Sequence, residues 1–148
     1  MKNQVIKFKG TSQDYSIFIG NNTLNLLSKK IKLLCPKTKK VALVIDNNIP
    51  KKFRTIIKKQ LKNYKILILP FTANEKNKSL VKVDYYLNKI LSKNFNRSDL
   101  IIGLGGGITG DVAGFVAEAE AIVVSLHRAV GRARTLRVNG SLTVAIKV

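Results

Sequence analysis

Three consecutive glycines, Gly105–Gly107, stand between an apolar segment and a stretch with helical character. A diphosphate group needs backbone N–H donors close to its oxygens, and side chains at those positions would hold it away. Gly106 and Gly107 would allow that approach, and the following helix would present its positive N-terminal end to the anion. The motif therefore indicates a dinucleotide site. A tight strand-to-helix turn without a ligand is the alternative, and the spacing of Gly107, Gly110 and Gly114 would also let the helix pack closely on a sheet.

Polar side chains suited to the rest of a dinucleotide follow two other apolar segments and the glycine motif itself. Asp46 and Asn48 come after the first segment, where an acidic group would hydrogen-bond ribose hydroxyls. Glu75 and Lys78 come after the second, three residues apart, so that both would face one ligand. Asp111 is expected in the first turn of the helix after the glycines, where it would favour the helix dipole or accept a hydrogen bond from the ligand. A solvated turn at Asp46 and a capping arrangement at Glu75 are the alternatives.

The elements that would position these residues alternate between strand and helix. Apolar runs predict strands over the ranges 4–9, 15–19, 41–45, 66–69 and 99–104. Apolar residues at helical spacing predict helices from an N-cap at Asn22 to a stop at Pro36, around 53–61, over 79–92, and from the glycines to about Ala117. The expected inward stripe of the 79–92 helix is Leu80, Val83, Leu87, Ile90 and Leu91.

The continuous apolar run 41–45 is typical of a strand buried on both faces, and the run 66–69 predicts the next buried strand, which ends at Pro70. Repeated βα units of this kind predict the α/β class, with a Rossmann-like parallel sheet and flanking helices.

The composition limits the kinds of partner. The formal net charge is +19, but the lysines are spread over every segment. We attribute them to an AT-rich coding sequence, with nucleic-acid binding as the minor alternative. No apolar run reaches the roughly 18 residues of a membrane span, and the N-terminus is too polar for a signal peptide, so a cytoplasmic protein is expected. The single cysteine, Cys35, is expected to be buried, and with only one histidine, His127, no His/Cys metal site is expected.

Taken together, these residues resemble the N-terminal domain of 3-dehydroquinate synthase, within the larger dehydroquinate synthase and iron-containing alcohol dehydrogenase fold group. The stretch Leu104–Ala117 is similar to the family signature almost residue for residue. Asp46 and Asn48 match polar residues after the strand predicted over 41–45. Glu75 and Lys78 match a Gly-Glu-x-x-Lys loop, with Asn74 in place of the usual glycine; asparagine tolerates positive φ, so the turn would survive. The resemblance covers roughly residues 4–117.

The resemblance implies a carbon–oxygen lyase of the shikimate pathway, which converts 3-deoxy-D-arabino-heptulosonate 7-phosphate to 3-dehydroquinate and phosphate. In that family NAD oxidises one hydroxyl transiently, and a divalent metal, zinc or cobalt, polarises that hydroxyl. The implied partners are NAD and, in full-length members, the sugar-acid phosphate substrate; neither nucleic acid nor a membrane is expected, and a homodimer is compatible with the family. The cofactor-binding residues that the resemblance implies are Asp46, Asn48, Glu75, Lys78, Gly106, Gly107, Ile108 and Asp111.

The resemblance ends after Ala117, where the family's Arg-Gly pair, Pro-Thr-Thr strand end and Gly-Gly-Lys-Thr segment are not found. Residues 118–148 hold one Lys and four Arg, against 20 Lys and two Arg before them. We therefore expect an NAD-binding domain over 1–117 and a tail over 118–148 of foreign or out-of-frame sequence. A divergent native tail, in which residues 122–126 would form a strand, is the alternative.

The family's C-terminal helical metal domain is expected to be absent, so no catalytic residue and no metal ligand is assigned in this chain. We expect the chain alone to bind NAD weakly without turnover. A stand-alone nucleotide-binding module without catalysis is the alternative function.

Overall fold

The computed structural model describes residues 4–9, 14–96, 98–125 and 137–138. The strands are β1 (Gln4–Lys9), β2 (Asp14–Ile19), β3 (Lys40–Asp46), β4 (Lys65–Phe71), β5 (Leu100–Leu104) and β6 (Arg137–Val138). The helices are α1 (Leu27–Leu34), α2 (Lys51–Gln60), α3 (Leu80–Leu91) and α4 (Gly107–Ser125), with short 3₁₀ helices at Thr23–Leu26 and Glu75–Asn77. The predicted α/β fold with a parallel sheet and flanking helices is confirmed.

The described strands form two sheets. In one, β1 pairs antiparallel with β2, and β2 pairs parallel with β6. In the other, all strands are parallel in the order β4-β3-β5. Asp46 lies opposite Phe71, and Ile45 lies opposite Leu104. The carboxyl ends of the three parallel strands therefore meet at one edge.

Strand β3 is the buried centre of the parallel sheet, as predicted for residues 41–45. Val41, Leu43 and Ile45 belong to a core cluster that includes residues of α1 and α2. Ala42 and Val44 belong to a second cluster, with residues of α3 and α4. Because side chains alternate along a strand, β3 joins two helical layers, which we call the first face (α1, α2) and the second face (α3, α4).

The order of these elements places a switch point at the carboxyl edge, where a crevice is expected. From β3 the chain turns to α2 on the first face, whereas from the neighbouring strand β5 it turns to α4 on the second face. Loops that leave adjacent parallel strands towards opposite faces separate from each other, and ligands of open α/β sheets bind at such switch points. Residues after β3 and β5 flank this crevice.

Strand β4 differs from its prediction. It was expected to be buried and to end at Pro70, but it is an edge strand of the parallel sheet and continues to Phe71. Ile68 is 46% exposed. A proline lacks the N–H that a central strand needs, and an edge strand tolerates that loss. An apolar run by itself does not distinguish an edge strand from a central one.

Helix α3 begins where predicted but turns a different stripe inwards. The side chain of Ser79 accepts a hydrogen bond from Lys82 N at 3.4 Å, and so caps the helix. The buried residues are Val83, Tyr86 and Ile90, whereas Leu80 is 81% exposed. Tyr86 replaces Leu80 in the stripe, since its hydroxyl donates to Pro70 O at 2.6 Å and satisfies the polar end of a buried ring.

The first helical segment also differs from its prediction. Asn22 has a φ of 61° and its side chain makes no capping hydrogen bond; a 3₁₀ turn follows, and α1 itself starts at Leu27. The helix ends at Leu34, before Pro36, as predicted. Cys35 is buried, which confirms its expected place in the core.

Helix α4 continues well past the expected end at Ala117. It runs to Ser125, so residues 122–125 are helical rather than a strand, and Leu126 lies outside the described residues. The segment 117–121 consists of alanine and glutamate, which have high helix propensity and carry the helix into the following β-branched residues. No helix in the described ranges is long and apolar enough to cross a membrane.

Candidate dinucleotide site

Every polar site residue predicted from the sequence lies just beyond the carboxyl end of a parallel strand or near the start of α4. Asp46 ends β3, with Asn48 in the turn that follows; Glu75 and Lys78 lie between β4 and α3; Asp111 is in α4. Because those strands are adjacent, the three loops surround one edge of the sheet. We call this region the carboxyl-edge site.

Two glycines of the strand-to-helix turn are required by packing within the chain. A Cβ on Gly105 would lie 2.6 Å from Cβ of Thr109, and a Cβ on Gly103 would lie 2.8 Å from Cβ of Ala113. Both distances are shorter than carbon atoms tolerate, so these positions bring α4 close against β5. Gly110 takes part in this approach, since its Cα lies 3.7 Å from the same position on Gly103.

Gly106 and Gly107 are different. A Cβ on either residue would meet no atom within 4 Å, and neither residue has positive φ. Neither packing nor backbone conformation therefore requires glycine there, whereas close approach of a ligand to the backbone does. A Cβ on Gly114 would also meet no atom within 4 Å. Gly107, Gly110 and Gly114 were expected to let the helix pack closely on the sheet, and only Gly110 does so.

The start of α4 offers backbone donors next to these glycines. The N–H of Gly110 donates to Gly106 O at 3.0 Å, which is the first helical hydrogen bond. The N–H groups of Gly107, Ile108 and Thr109 precede that bond and have no intrahelical acceptor. The Ile108 side chain is partly buried and packs on the second-face core. This arrangement suits an anion.

Asp111 was expected in the first turn of the helix, but it does not lie there. Since α4 begins at Gly107, Asp111 falls in the second turn, and its Oδ2 lies 2.9 Å from Lys78 Nζ. Both side chains are partly exposed. The hydrogen bond and charge of Asp111, with a smaller effect of Glu75, raise the pKa of Lys78 above its ordinary value. The structure thus brings Glu75, Lys78 and Asp111 together.

Asn74 does not adopt the positive φ that was expected of a residue in the place of a glycine. Its φ is −151°, an extended conformation, so no positive φ is needed. Its side chain accepts a hydrogen bond from Asn77 N at 2.8 Å, and Asn77 Nδ2 donates to Thr72 O at 2.8 Å. The capping alternative is therefore realised by Asn74 rather than by Glu75, which leaves the Glu75 carboxylate unused in capping.

The turn after β3 is held tightly. Asp46 is buried, and its Oδ1 accepts a hydrogen bond from Asn48 N at 3.0 Å. Asn47 Nδ2 donates to Thr72 Oγ1 at 2.9 Å, which joins this turn to the loop after β4. Arg54, in the first turn of α2, donates to backbone carbonyls of the same turn. No role was predicted for Thr72 or Arg54. The feature of the sequence that could have indicated Arg54 is an arginine in a lysine-rich helix.

Among the described residues, no group of three or more His, Cys, Asp or Glu side chains is placed so that it could hold a metal ion.

Comparison with known proteins identifies relatives of this chain. Residues 68–127 match the sequence model of the family described as 3-dehydroquinate synthase N-terminal. A 3-dehydroquinate synthase of Pelagibacter ubique is 45% identical over 112 residues, which are 76% of this chain and 30% of that protein. The chain thus spans less than a third of the length of that relative.

Two solved structures share the fold. A 2-deoxy-scyllo-inosose synthase complexed with carbaglucose-6-phosphate, NAD⁺ and Co²⁺ has a TM-score of 0.66 and 22% identity, over 77% of this chain and 31% of that one. A 2-epi-5-epi-valiolone synthase from Streptomyces hygroscopicus subsp. jinggangensis, with NAD⁺ and Zn²⁺ bound, has a TM-score of 0.58 and 17% identity, over 88% of this chain and 33% of that one. Over the part that these comparisons match, the chain belongs to the 3-dehydroquinate synthase family, as its N-terminal part.

Proposed function

We propose that this chain provides the NAD-binding part of a 3-dehydroquinate synthase, with the dinucleotide in the carboxyl-edge site. The observation that carries the proposal is the open space at Gly106 and Gly107 at the start of α4, where a Cβ would meet no atom within 4 Å and a ligand can approach the backbone. The two synthases that share this fold were solved with NAD⁺ bound, which supports the same cofactor here.

Each predicted residue has a role in this proposal. The diphosphate lies along the backbone of Gly106, Gly107 and Ile108, at the positive end of α4. Asp46 and Asn48 on one side of the crevice, and Glu75, Lys78 and Asp111 on the other, hold the two riboses and the nicotinamide end. Lys78 brings the one positive charge among these five side chains, and it is paired with Asp111.

In the proposed reaction of the whole enzyme, a sugar-acid phosphate loses phosphate and closes to 3-dehydroquinate. NAD, when bound, supplies the reversible oxidation of one substrate hydroxyl. The residues of this chain bind and orient that cofactor. Since the described residues bring together no metal-binding group, we assign no metal-dependent step to them.

Two further parts of the proposal concern the chain as it stands. We propose that a tail unrelated to the NAD-binding domain lies within residues 118–148, beyond the family match that reaches residue 127, and that residues 1–148 bind NAD without turnover. Expression in cells that lack 3-dehydroquinate synthase tests the second part: we expect no growth without aromatic supplements, and growth would overturn it.

The proposal is tested with three matched glycine substitutions, since a Cβ would enter open space at Gly106, Gly107 and Gly114 alike. We expect Gly106→Ala and Gly107→Ala to weaken NAD⁺ binding by about tenfold or more, a difference of about 1.4 kcal/mol, because the new methyl group meets the diphosphate. Gly114→Ala lies further along α4 and should bind like the wild type. Equal affinity of all four proteins in calorimetry, or no binding by the wild type, would overturn the proposal.

A further inference from the structure

Arg54 gathers three backbone carbonyls of the turn that follows β3. Its Nε donates to Ile49 O at 3.0 Å, and its Nη2 donates to Asp46 O at 3.1 Å and to Asn47 O at 2.7 Å. The side chain is partly buried, so these bonds form in a partly desolvated setting. One guanidinium thus hydrogen-bonds to three of the carbonyl oxygens of the four-residue turn 46–49.

Arginine suits this arrangement better than lysine does. Three carbonyl oxygens that point to one place repel one another, and a cation among them removes that repulsion. A guanidinium offers five N–H donors in a fixed planar fork, whereas a lysine ammonium offers three donors on a flexible chain. The neighbouring cations of α2, Lys51, Lys52, Lys58 and Lys59, are exposed.

The same turn is fixed from its other sides by side chains and by β4. Asn47 N donates to Phe71 O at 2.7 Å, and Asn47 Nδ2 reaches Thr72. Asp46 Oδ1 accepts from Asn48 N. Among the described residues nothing hydrogen-bonds to Asp46 Oδ2, so one carboxylate oxygen remains for a ligand on a turn that is otherwise held in place.

We propose that Arg54 is a positioning residue for the dinucleotide site: it does not contact NAD, and it sets the orientation of Asp46 through the backbone of the turn that follows β3. This inference rests on the proposed function. It predicts that Arg54 matters for affinity only as long as Asp46 is present to bind the ligand.

The test is a double-mutant cycle on NAD⁺ affinity, with Arg54→Met, Asp46→Ala and the double variant, and with Lys58→Met as the matched control on α2. We expect Arg54→Met to raise the dissociation constant about tenfold, on the scale of lost charge-assisted hydrogen bonds. In the Asp46→Ala background the same change should have little effect. Lys58→Met should bind like the wild type, and Arg54→Lys should fall between wild type and Arg54→Met.

The possible failures are distinguishable. If the wild type binds no NAD⁺, the proposed function and this inference both fall. If the wild type binds and Arg54→Met binds equally well, only the inference falls. Additive effects of Arg54→Met and Asp46→Ala would also overturn it. If Arg54→Met weakened binding through a general loss of structure, its effect would be the same with and without Asp46. Circular dichroism checks folding, and Arg54→Lys with Asp46→Ala completes the same cycle if Arg54→Met does not fold.

Discussion

The ammonium of Lys78 lies 2.9 Å from the carboxylate of Asp111 and joins the loop after β4 to helix α4. The two residues are far apart in the sequence, yet both were predicted to bind the same cofactor. Their pairing closes one side of the carboxyl-edge site. It also makes the pKa of Lys78 a measurable property of that side.

We predict that Asp111→Asn lowers the pKa of Lys78 towards its ordinary value. The hydrogen bond and charge of Asp111 are the largest causes of the raised pKa, and the charge of Glu75 is a smaller one. The raised pKa means that the pair favours the folded state below the ordinary lysine pKa, and that this contribution is lost as pH rises through the raised value. An NMR titration of the Lys78 side chain measures the change.

Glu75→Gln is the control for that titration, and its effect should be smaller than that of Asp111→Asn. A Lys78 pKa that does not respond to Asp111→Asn, or that responds more to Glu75→Gln, would contradict the observed geometry.

Gly105→Ala should destabilise the fold, in contrast to Gly106→Ala. A Cβ at position 105 meets the side chain of Thr109 at 2.6 Å to Cβ and 2.9 Å to Cγ2, whereas a Cβ at position 106 meets nothing within 4 Å. Overpacking of this kind costs about 1–3 kcal/mol, and a substitution into open space typically changes stability by less than about 0.5 kcal/mol. Urea unfolding of the two variants measures the difference. Equal stabilities would show that the turn is not packed as described.

Tyr86→Phe should reduce stability and also its dependence on pH. The hydroxyl donates to Pro70 O at 2.6 Å, and its loss should cost about 1 kcal/mol. Burial raises the pKa of Tyr86 to about 12, from an ordinary value of 10.0. The unfolded chain therefore releases this proton first, and folding stability falls as pH rises from about 10 to about 12.

The measurement is urea unfolding of both proteins at pH 8 and pH 11. The wild type should lose more stability between the two pH values than Tyr86→Phe does. Tyr64, whose pKa is raised by burial and by Cys35, contributes to the fall in both proteins and cancels in the comparison. An equal fall in both would contradict a buried, hydrogen-bonded Tyr86.

The sequence predicted those features that depend on local pattern. The alternation of apolar runs and helical stripes located every strand of the parallel sheet, and glycines after a strand indicated an anion site at the start of α4. Since carboxyl ends of parallel strands share an edge, the residues after three strands could be predicted to meet. The contact of Lys78 with Asp111 agrees with that reasoning.

Features that depend on distant packing could not be predicted in this way. Gly105 and Gly106 are adjacent and identical in type, and only the position of Thr109 makes one a packing requirement and the other open. The exposure of Ile68 depends on which strands flank β4. Arg54 donates to backbone carbonyls. Because every residue type carries a backbone carbonyl, the residues around Arg54 do not indicate these contacts.

The most direct test of the account is an NMR titration of the wild-type protein with NAD⁺. We expect the amide signals of Gly106, Gly107 and Asn48 to shift together and to saturate with one dissociation constant, while signals of α1 on the first face stay in place. No shift at these three amides, or shifts confined to other parts of the chain, would contradict a dinucleotide site at the carboxyl edge.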